Sequence, residues 1–107
     1  MVVTLGEFEV LVLLAVLQLD GAAYPPAVRE EIERRTMRQV ARGAVYVTLD
    51  RLEAKRLLVA QTAAAEPTAG RRRRHYKVSA KGLRAVRRAL SAVENMRAGL
   101  EPMLDES

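Results

Sequence analysis

The stretch GAVYVTLDRLEAKRLL, residues 43–58, decides the fold of this chain, together with GRRRRHYKVSAKG at residues 70–82. In the first stretch, Val45, Leu49 and Leu52 recur at spacings of four and three, which predicts a helix with one inner apolar face. We expect this helix to span roughly residues 43–56. Its opposite face would carry Ala44, Val47, Thr48, Arg51 and Lys55.

A hairpin with a basic tip is predicted after this helix. Residues 57–62 are compatible with a short strand, residues 63–70 favour a turn, and residues 75–79 predict the returning strand. Four consecutive arginines, Arg71, Arg72, Arg73 and Arg74, stand between them. A polyanion best relieves their mutual repulsion, so we favour phosphate contact over a merely solvated charge run.

Two further helices are predicted upstream. Thr4 and Glu7 fit a capping box at the start of a helix that reaches about Leu19. That helix is apolar nearly all round, so one side is expected to face the core and the other a second subunit. After Asp20 and Gly21, prolines open a second helix over residues 25–36, and residues 37–42 form a short link. Within that link, Val40 is compatible with one brief strand.

The C-terminal part predicts a long helix with a heptad-like stripe. Ser79 is the expected N-cap, and the helix would run from residue 80 to about residue 100. Arg97 occupies one position of the stripe, and Pro102 with the acidic end indicates fraying. The apolar stripe positions are Leu83, Val86, Leu90, Val93 and Leu100.

This order of elements is typical of a winged helix-turn-helix. The fold is expected to be mainly α, with a small antiparallel β-hairpin wing and with N- and C-terminal helices for dimerisation. Residues 1–79 would form the DNA-binding domain including its first helix, and residues 80–107 the dimerisation helix and tail. A helix of this kind can offer side chains to base edges in the major groove of double-stranded DNA.

Charge is distributed unevenly along the chain. The formal net charge is +5, and residues 37–90 hold 14 of the 18 Lys and Arg but only 3 of the 13 acidic residues. Such a concentrated positive field attracts a polyanion, which favours nucleic acid as the partner.

The composition argues against several other classes. The chain has no Cys and one His, His75, so a transition-metal site, a cofactor and a catalytic thiol are not expected. His75 itself is interpreted as a strand-surface residue. The N-terminal apolar run is too short to span a bilayer and follows acidic residues, so we expect a cytoplasmic protein without a signal peptide. No enzymatic constellation is present.

In order along the chain, LGEFEVLVLLAVL, the Ala23-Tyr24 pair, REEIERRT, GAVYVTLDRLEAKRLL and GRRRRHYKVSAKG resemble the PadR family of bacterial transcriptional regulators. The resemblance covers about residues 4–90, and its short C-terminal part is similar to the small members of that family. It implies a winged-helix homodimer, usually a repressor that binds a roughly palindromic operator.

The resemblance also implies roles for individual residues. Tyr46, Thr48 and Arg51 match the recognition helix, and Arg71 to Arg74 match the wing. From position alone, Tyr46 is equally a phosphate contact or a half-buried packing residue, Arg51 has the alternative of a surface ion pair, and Lys55 that of a solvated side chain. The first and last helices would form the dimer surface. Its residues would be Leu11, Leu14, Leu83, Val86, Leu90, Val93 and Leu100.

Three positions depart from the family pattern. Ala41 stands where a Ser or Thr N-cap is common, at a cost of about 1 kcal/mol. Arg56 stands where Gly usually ends the recognition helix, and a positive φ there costs on the order of 1 kcal/mol. Pro25 replaces the Gly that usually follows the Tyr. Some relatives bind flat aromatic drugs with a Trp, and this chain has no Trp.

Two functional hypotheses follow from the sequence. The first is a DNA-binding regulator, in which a small-molecule effector would act by favouring one arrangement of the two DNA-binding heads. The second is a winged-helix adaptor that binds proteins and does not read DNA, since a fold does not fix a function.

Overall fold

The computed structural model describes residues 4–62 and 74–105, and it confirms a mainly helical fold with a two-stranded wing. The elements are α1 (Glu7–Leu19), α2 (Pro25–Thr36), α3 (Arg42–Ala54), β1 (Leu58–Thr62), β2 (Arg74–Val78), α4 (Ala80–Arg97) and α5 (Glu101–Leu104). Both strands begin or end within a residue or so of the predicted bounds. The predicted order is therefore confirmed, apart from the brief strand at Val40 and the additional α5.

One apolar core joins the three N-terminal helices, the hairpin and the first half of α4. Because α1 is apolar around most of its circumference, it contacts α2, α3, β2 and α4 at once. The core consists mainly of Leu, Val and Ala side chains. Its largest fully buried members are Leu13, Leu49, Leu52, Leu57, Leu58, Val12, Val28, Val45 and Val86.

The N-cap of helix α1 lies two residues later than predicted. Gly6 is the N-cap, and its backbone N–H donates to Oε1 of Glu9 over 2.9 Å. The predicted N-cap role of Thr4 is therefore wrong. The physical reason is that Glu9, three residues after Gly6, is the carboxylate that reaches back to satisfy a main-chain donor at the helix start.

The link between α2 and α3 contains no strand, which corrects the prediction for Val40. The Val40 N–H donates to Oε2 of Glu33 over 2.8 Å, and the Val40 carbonyl accepts from Nε of Arg29 over 2.7 Å. Because two α2 side chains satisfy both main-chain groups, this buried residue needs no strand partner. Helix α3 then begins after Ala41, whose side chain provides no cap, as the sequence predicted.

The hairpin is anchored on its β2 side to the turn between α1 and α2. In the register of the two strands, Ala60 pairs with Tyr76. The Tyr76 N–H also donates to the Ala23 carbonyl over 3.1 Å. His75 packs edge-on against the Tyr24 ring, with centroids 4.3 Å apart. These contacts fix the base of the wing to the helical body.

The junction of α3, β1 and α4 is closely packed. Arg56 has φ +64°, the left-handed conformation anticipated from the family pattern. Ser79 is the N-cap of α4, as predicted: its Oγ accepts from the Gly82 N–H over 3.0 Å and donates to the Arg56 carbonyl over 2.8 Å. A Cβ on Gly82 would lie 2.1 Å from the Leu57 carbonyl oxygen, so this position requires glycine.

Helix α4 ends earlier than predicted. It stops at Arg97, and Gly99 with φ +89° turns the chain into the short α5. Arg97 and Asp105 form an ion pair of 3.0 Å that spans this turn. Pro102 lies in the first turn of α5, where Pro is well tolerated.

Candidate nucleic-acid interface

Helix α3 presents an exposed face of short side chains. Ala44, Val47 and Arg51 are exposed as predicted, and Val47 has more than half of its surface accessible (55%). Tyr46 is exposed to 44%. Asp50 also lies on the exposed side of the helix. A face of this kind allows close approach to a groove and offers apolar contact to a thymine methyl group.

Thr48 does not belong to that face. Its residue is only 5% exposed, so the predicted outward placement of Thr48 is wrong. Positions 45, 48, 49 and 52 follow the i, i+3, i+4, i+7 spacing of a single helix face, and Thr48 therefore shares the inner stripe with Val45, Leu49 and Leu52. The spacing itself carried this signal, but the polar side chain obscured it.

Lys55 is committed to an ion pair inside the protomer. Its Nζ donates to Oε2 of Glu9 over 3.0 Å, and Glu9 is buried. Burial of the Glu9 carboxylate opposes its ionisation, but hydrogen bonds from the Gly6 N–H and from Lys55 outweigh that effect and hold the pKa of Glu9 below its ordinary value. Lys55 is therefore neither simply solvated nor free for a phosphate without breaking this pair.

The last arginine of the wing run is also paired. Nη2 of Arg74 lies 2.9 and 3.1 Å from the two carboxylate oxygens of Glu53 on α3, and the guanidinium stands 5.8 Å from the centre of the Tyr76 ring. Burial of the Tyr76 hydroxyl raises its pKa. Arg71, Arg72 and Arg73 lie outside the described residues. Arg74 thus fixes the start of β2 to the recognition helix.

A groove of about 390 Å³ lies between the start of α2 and the start of α3. Pro25 and Pro26 have no backbone N–H, so neither donates a hydrogen bond into this groove. Among the side chains that line it, Arg42 and Tyr46 carry groups that can donate to an anion. Sequence reasoning missed Arg42, although its place beside the predicted start of α3 was a usable signal. The groove is lined by Pro25, Pro26, Arg29, Glu30, Glu33, Arg42, Val45 and Tyr46.

The predicted dimer residues fall into two groups. Leu11, Leu14 and Leu83 are half-buried, and Leu90, Val93 and Leu100 are exposed. Val86, in contrast, is 2% exposed and belongs to the protomer core, so its place in a dimer surface is wrong. The first turns of α4 pack on α1, and the apolar stripe becomes free only beyond them. Further exposed apolar residues on α1, α4 and α5 are Leu17, Met96, Met103 and Leu104.

The described residues contain no group of three or more His, Asp or Glu placed to hold a metal ion. Within residues 4–62 and 74–105, no helix combines the length and apolar character needed to cross a membrane.

Comparison with known proteins extends these observations. The model of the transcriptional regulator PadR-like family matches residues 13–88. No curated protein sequence matches the chain.

Solved structures of similar fold include two PadR family regulators. One, from Eggerthella lenta, is 22% identical, with a TM-score of 0.70 over 94% of this chain and 88% of its own. One from Clostridium difficile is 19% identical, with a TM-score of 0.74 over 92% and 99%. The F93 protein from STIV, described as a winged-helix DNA-binding protein, is 18% identical, with a TM-score of 0.67 over 90% and 98%. At these identities the likeness establishes the fold.

Proposed function

Because this chain belongs to the PadR-like family of transcriptional regulators, we propose that it is a homodimeric repressor that binds a near-palindromic DNA operator. The exposed face of α3 beside a two-stranded hairpin, together with the sequence run of four arginines that ends at the start of β2, is the observation that supports this proposal. In this arrangement α3 enters the major groove, where Val47 and Arg51 meet base edges.

Phosphate contacts would position the protomer on the duplex. The arginines Arg71 to Arg73 would supply the largest part of the charge, and Arg42 with the Tyr46 hydroxyl would supply two donors at the N-terminal end of the recognition helix. Such contacts set the register without reading the sequence. Arg74 joins them only by exchanging Glu53 for a phosphate.

Dimerisation follows from the apolar surface that the protomer leaves uncovered. Leu90 and Val93 on α4, Leu100 at the start of α5, and Leu11 and Leu14 on α1 form part of this surface. A two-fold axis would place two α3 helices in successive major grooves about 34 Å apart, which matches half-sites of about 10 bp spacing.

Fluorescence anisotropy of labelled DNA tests the proposal. The protein is titrated into DNA from its own promoter and into scrambled DNA of equal length and composition, at several salt concentrations. We expect tighter binding to the promoter and a steep fall of affinity with salt, because phosphate contacts release counterions. Equal affinity for both DNAs at every salt concentration would contradict a sequence-specific operator.

Two variants separate the wing from the recognition helix. Replacement of Arg71 to Arg74 with Ala should make the plot of log binding constant against log salt concentration less steep, by roughly 0.9 for each lost phosphate contact. It should weaken binding to promoter and scrambled DNA alike. Arg51→Ala serves as the matched comparison, since it should weaken binding to promoter DNA by about 1–3 kcal/mol and change binding to scrambled DNA little. An unchanged slope in the wing variant removes the wing from the mechanism.

A protein-binding adaptor is the second candidate, and one observation favours it. Among the basic residues predicted to contact DNA, Lys55 and Arg74 are held by Glu9 and Glu53 in the protomer. The same titration decides between the two candidates, because an adaptor would bind neither DNA at low salt.

A further inference from the structure

The exposed face of α3 carries a carboxylate near its middle. Directly opposite the buried stripe, four residues recur at the i, i+4, i+7 and i+11 positions of one helix face. Three of them have short or apolar side chains, and the fourth is acidic. These residues are Gly43, Val47, Asp50 and Ala54, all of them exposed. A surface that meets α3 face on therefore meets Asp50, with Tyr46 and Arg51 on the two flanks.

Asp50 forms no hydrogen bond or ion pair with any residue that the structure describes. No basic side chain stands three or four positions away on the helix, where such a pair would form. Glu53 on the same helix is, in contrast, bound by Arg74. Residues 37–90 hold only 3 acidic residues against 14 basic ones, so an unpaired acid at this place is an exception within the basic region.

An unpaired carboxylate on this face opposes the approach of DNA unless a hydrogen-bond donor meets it. An ionised carboxylate only accepts hydrogen bonds, and the donors in the major groove are the amino groups on N4 of cytosine and on N6 of adenine. The adenine amino group stands beside the acceptor N7, which repels the second carboxylate oxygen. Cytosine presents its amino group without a neighbouring acceptor, so it is the base that fits best.

Resting on the proposed function, we propose that Asp50 determines one position of the operator half-site by accepting a hydrogen bond from N4 of a cytosine. The same charge excludes guanine and thymine there, because their acceptors would face it. Specificity thus comes partly from repulsion of the wrong sequences. Val47 lies three residues earlier on the same stripe, about 4.5 Å along the helix axis, and contacts a neighbouring base pair.

Selection of DNA by the full chain from a library of random sequence tests the proposal. The unsubstituted chain should enrich a motif with cytosine at one position of each half-site. Asp50→Asn should change that base to adenine, because Asn binds N6 and N7 of adenine together. Asp50→Ala should leave the position without a preference.

Binding constants then quantify the change in preference. The enriched motif is synthesised with each of the four bases at the position that Asp50 controls, and fluorescence anisotropy measures the affinity. The unsubstituted chain should bind the cytosine form about tenfold more tightly than the guanine and thymine forms, a typical effect of one mismatched base pair. For Asp50→Ala the four forms should bind within about threefold of one another.

Asp20→Asn is the matched control. It makes the same chemical change and adds the same unit of net positive charge, at an exposed residue in the turn after α1. Asn is suited to the positive φ of 35° at this position. A general gain in affinity for DNA from the added charge would be shared by both variants, whereas the enriched motif should change only in Asp50→Asn. Circular dichroism of all the variants verifies the helical content.

The outcomes separate this proposal from the one beneath it. A chain that enriches no motif would overturn the operator and the role of Asp50 together. The same motif from all the variants would leave the operator standing and overturn base recognition by Asp50. Tighter binding of Asp50→Ala to every DNA, with the motif unchanged, would assign Asp50 to repulsion of phosphates and overturn the proposal. A base other than cytosine at the position that changes would overturn the assignment of cytosine.

Discussion

The two ends of the recognition helix α3 are held by different kinds of contact. At its start, Ala41 gives no side-chain cap, and the preceding Val40 is bound by side chains of the neighbouring α2. At its end, Lys55 is paired with Glu9 on α1, and its carbonyl accepts from Nζ of Lys81 on α4 over 3.1 Å. The N-terminal end of α3 is thus held mainly by α2, and the C-terminal end by α1 and α4.

This difference indicates which contacts orient the exposed face of α3. The α1 and α4 helices that anchor the end of α3 are also the ones that carry the exposed apolar surface. In the proposed homodimer, a shift between protomers would therefore reach α3 through its C-terminal end, while its N-terminal end follows α2. The exposed Arg38–Glu7 pair also links the α2–α3 turn to α1, but a surface pair of this kind contributes little.

The largest effect is expected from adding one methyl group at the C-terminal junction. In Gly82→Ala the new Cβ would lie 2.1 Å from the Leu57 carbonyl oxygen and 2.9 Å from Cγ1 of Val78, so backbone must move. We expect a loss of about 3 kcal/mol or more in the free energy of unfolding, at the upper end of overpacking costs. Urea unfolding monitored by circular dichroism measures it.

Gly43→Ala is the control for that experiment. Gly43 lies in the first turn of α3, and a Cβ there meets nothing within 4 Å. Because Ala is the better helix former, this variant should gain up to about 1 kcal/mol. Equal effects of the two substitutions would show that the junction tolerates a side chain and that the C-terminal end is less rigid than its packing indicates.

A smaller effect is expected from Glu9→Gln, which removes the charge that binds Lys55. The amide still accepts one hydrogen bond, so we expect a loss of about 1–2 kcal/mol at neutral pH. Glu30→Gln, an exposed position on α2, makes the same change away from this contact and should stay within about 0.5 kcal/mol. Thermal unfolding of the three proteins compares them.

The Glu9 contribution also carries a pH signature. Because the folded-state pKa of Glu9 lies below its ordinary 4.5, its stabilisation is complete above that value and is lost as pH falls through the lowered folded pKa. The Glu9→Gln chain should therefore lose less stability than the unsubstituted chain on acidification below about pH 4.5. Parallel stability curves for the two proteins would contradict this assignment.

The sequence was sufficient for the order of the helices and for the Ser79 cap, because helix periodicity and this cap depend on neighbouring residues, whereas the cap of α1 was wrongly assigned to Thr4. It was insufficient for Lys55 and Arg74, since the partner Glu9 lies 46 residues from Lys55 and Glu53 lies 21 residues from Arg74. Nothing in the local pattern selects those carboxylates. The sequence gives the total positive charge, whereas the division of the basic side chains between internal ion pairs and free surface depends on the tertiary fold.

Two other errors have a common cause. The stripe of α4 keeps the same spacing from Leu83 to Leu100, but Val86 is covered by the protomer itself and Val93 is not. On α3, Thr48 lies on the inner face although its side chain is polar. Periodicity identifies the face of a helix, and only the neighbouring elements determine what covers each part of that face.

The smallest effect is expected at the N-terminal end of α3. Ala41 has the extended backbone of an N-cap (φ −67°, ψ 136°) and no hydrogen-bonding side chain. Ala41→Ser would supply an oxygen to the free N–H groups of the first turn and should gain about 1 kcal/mol. Ala44→Ser, inside the same helix and exposed, makes the identical change without a cap and should lose a few tenths of a kcal/mol. If both variants lose stability equally, the first turn of α3 already has other partners, and the two ends of the helix are more alike than their contacts indicate.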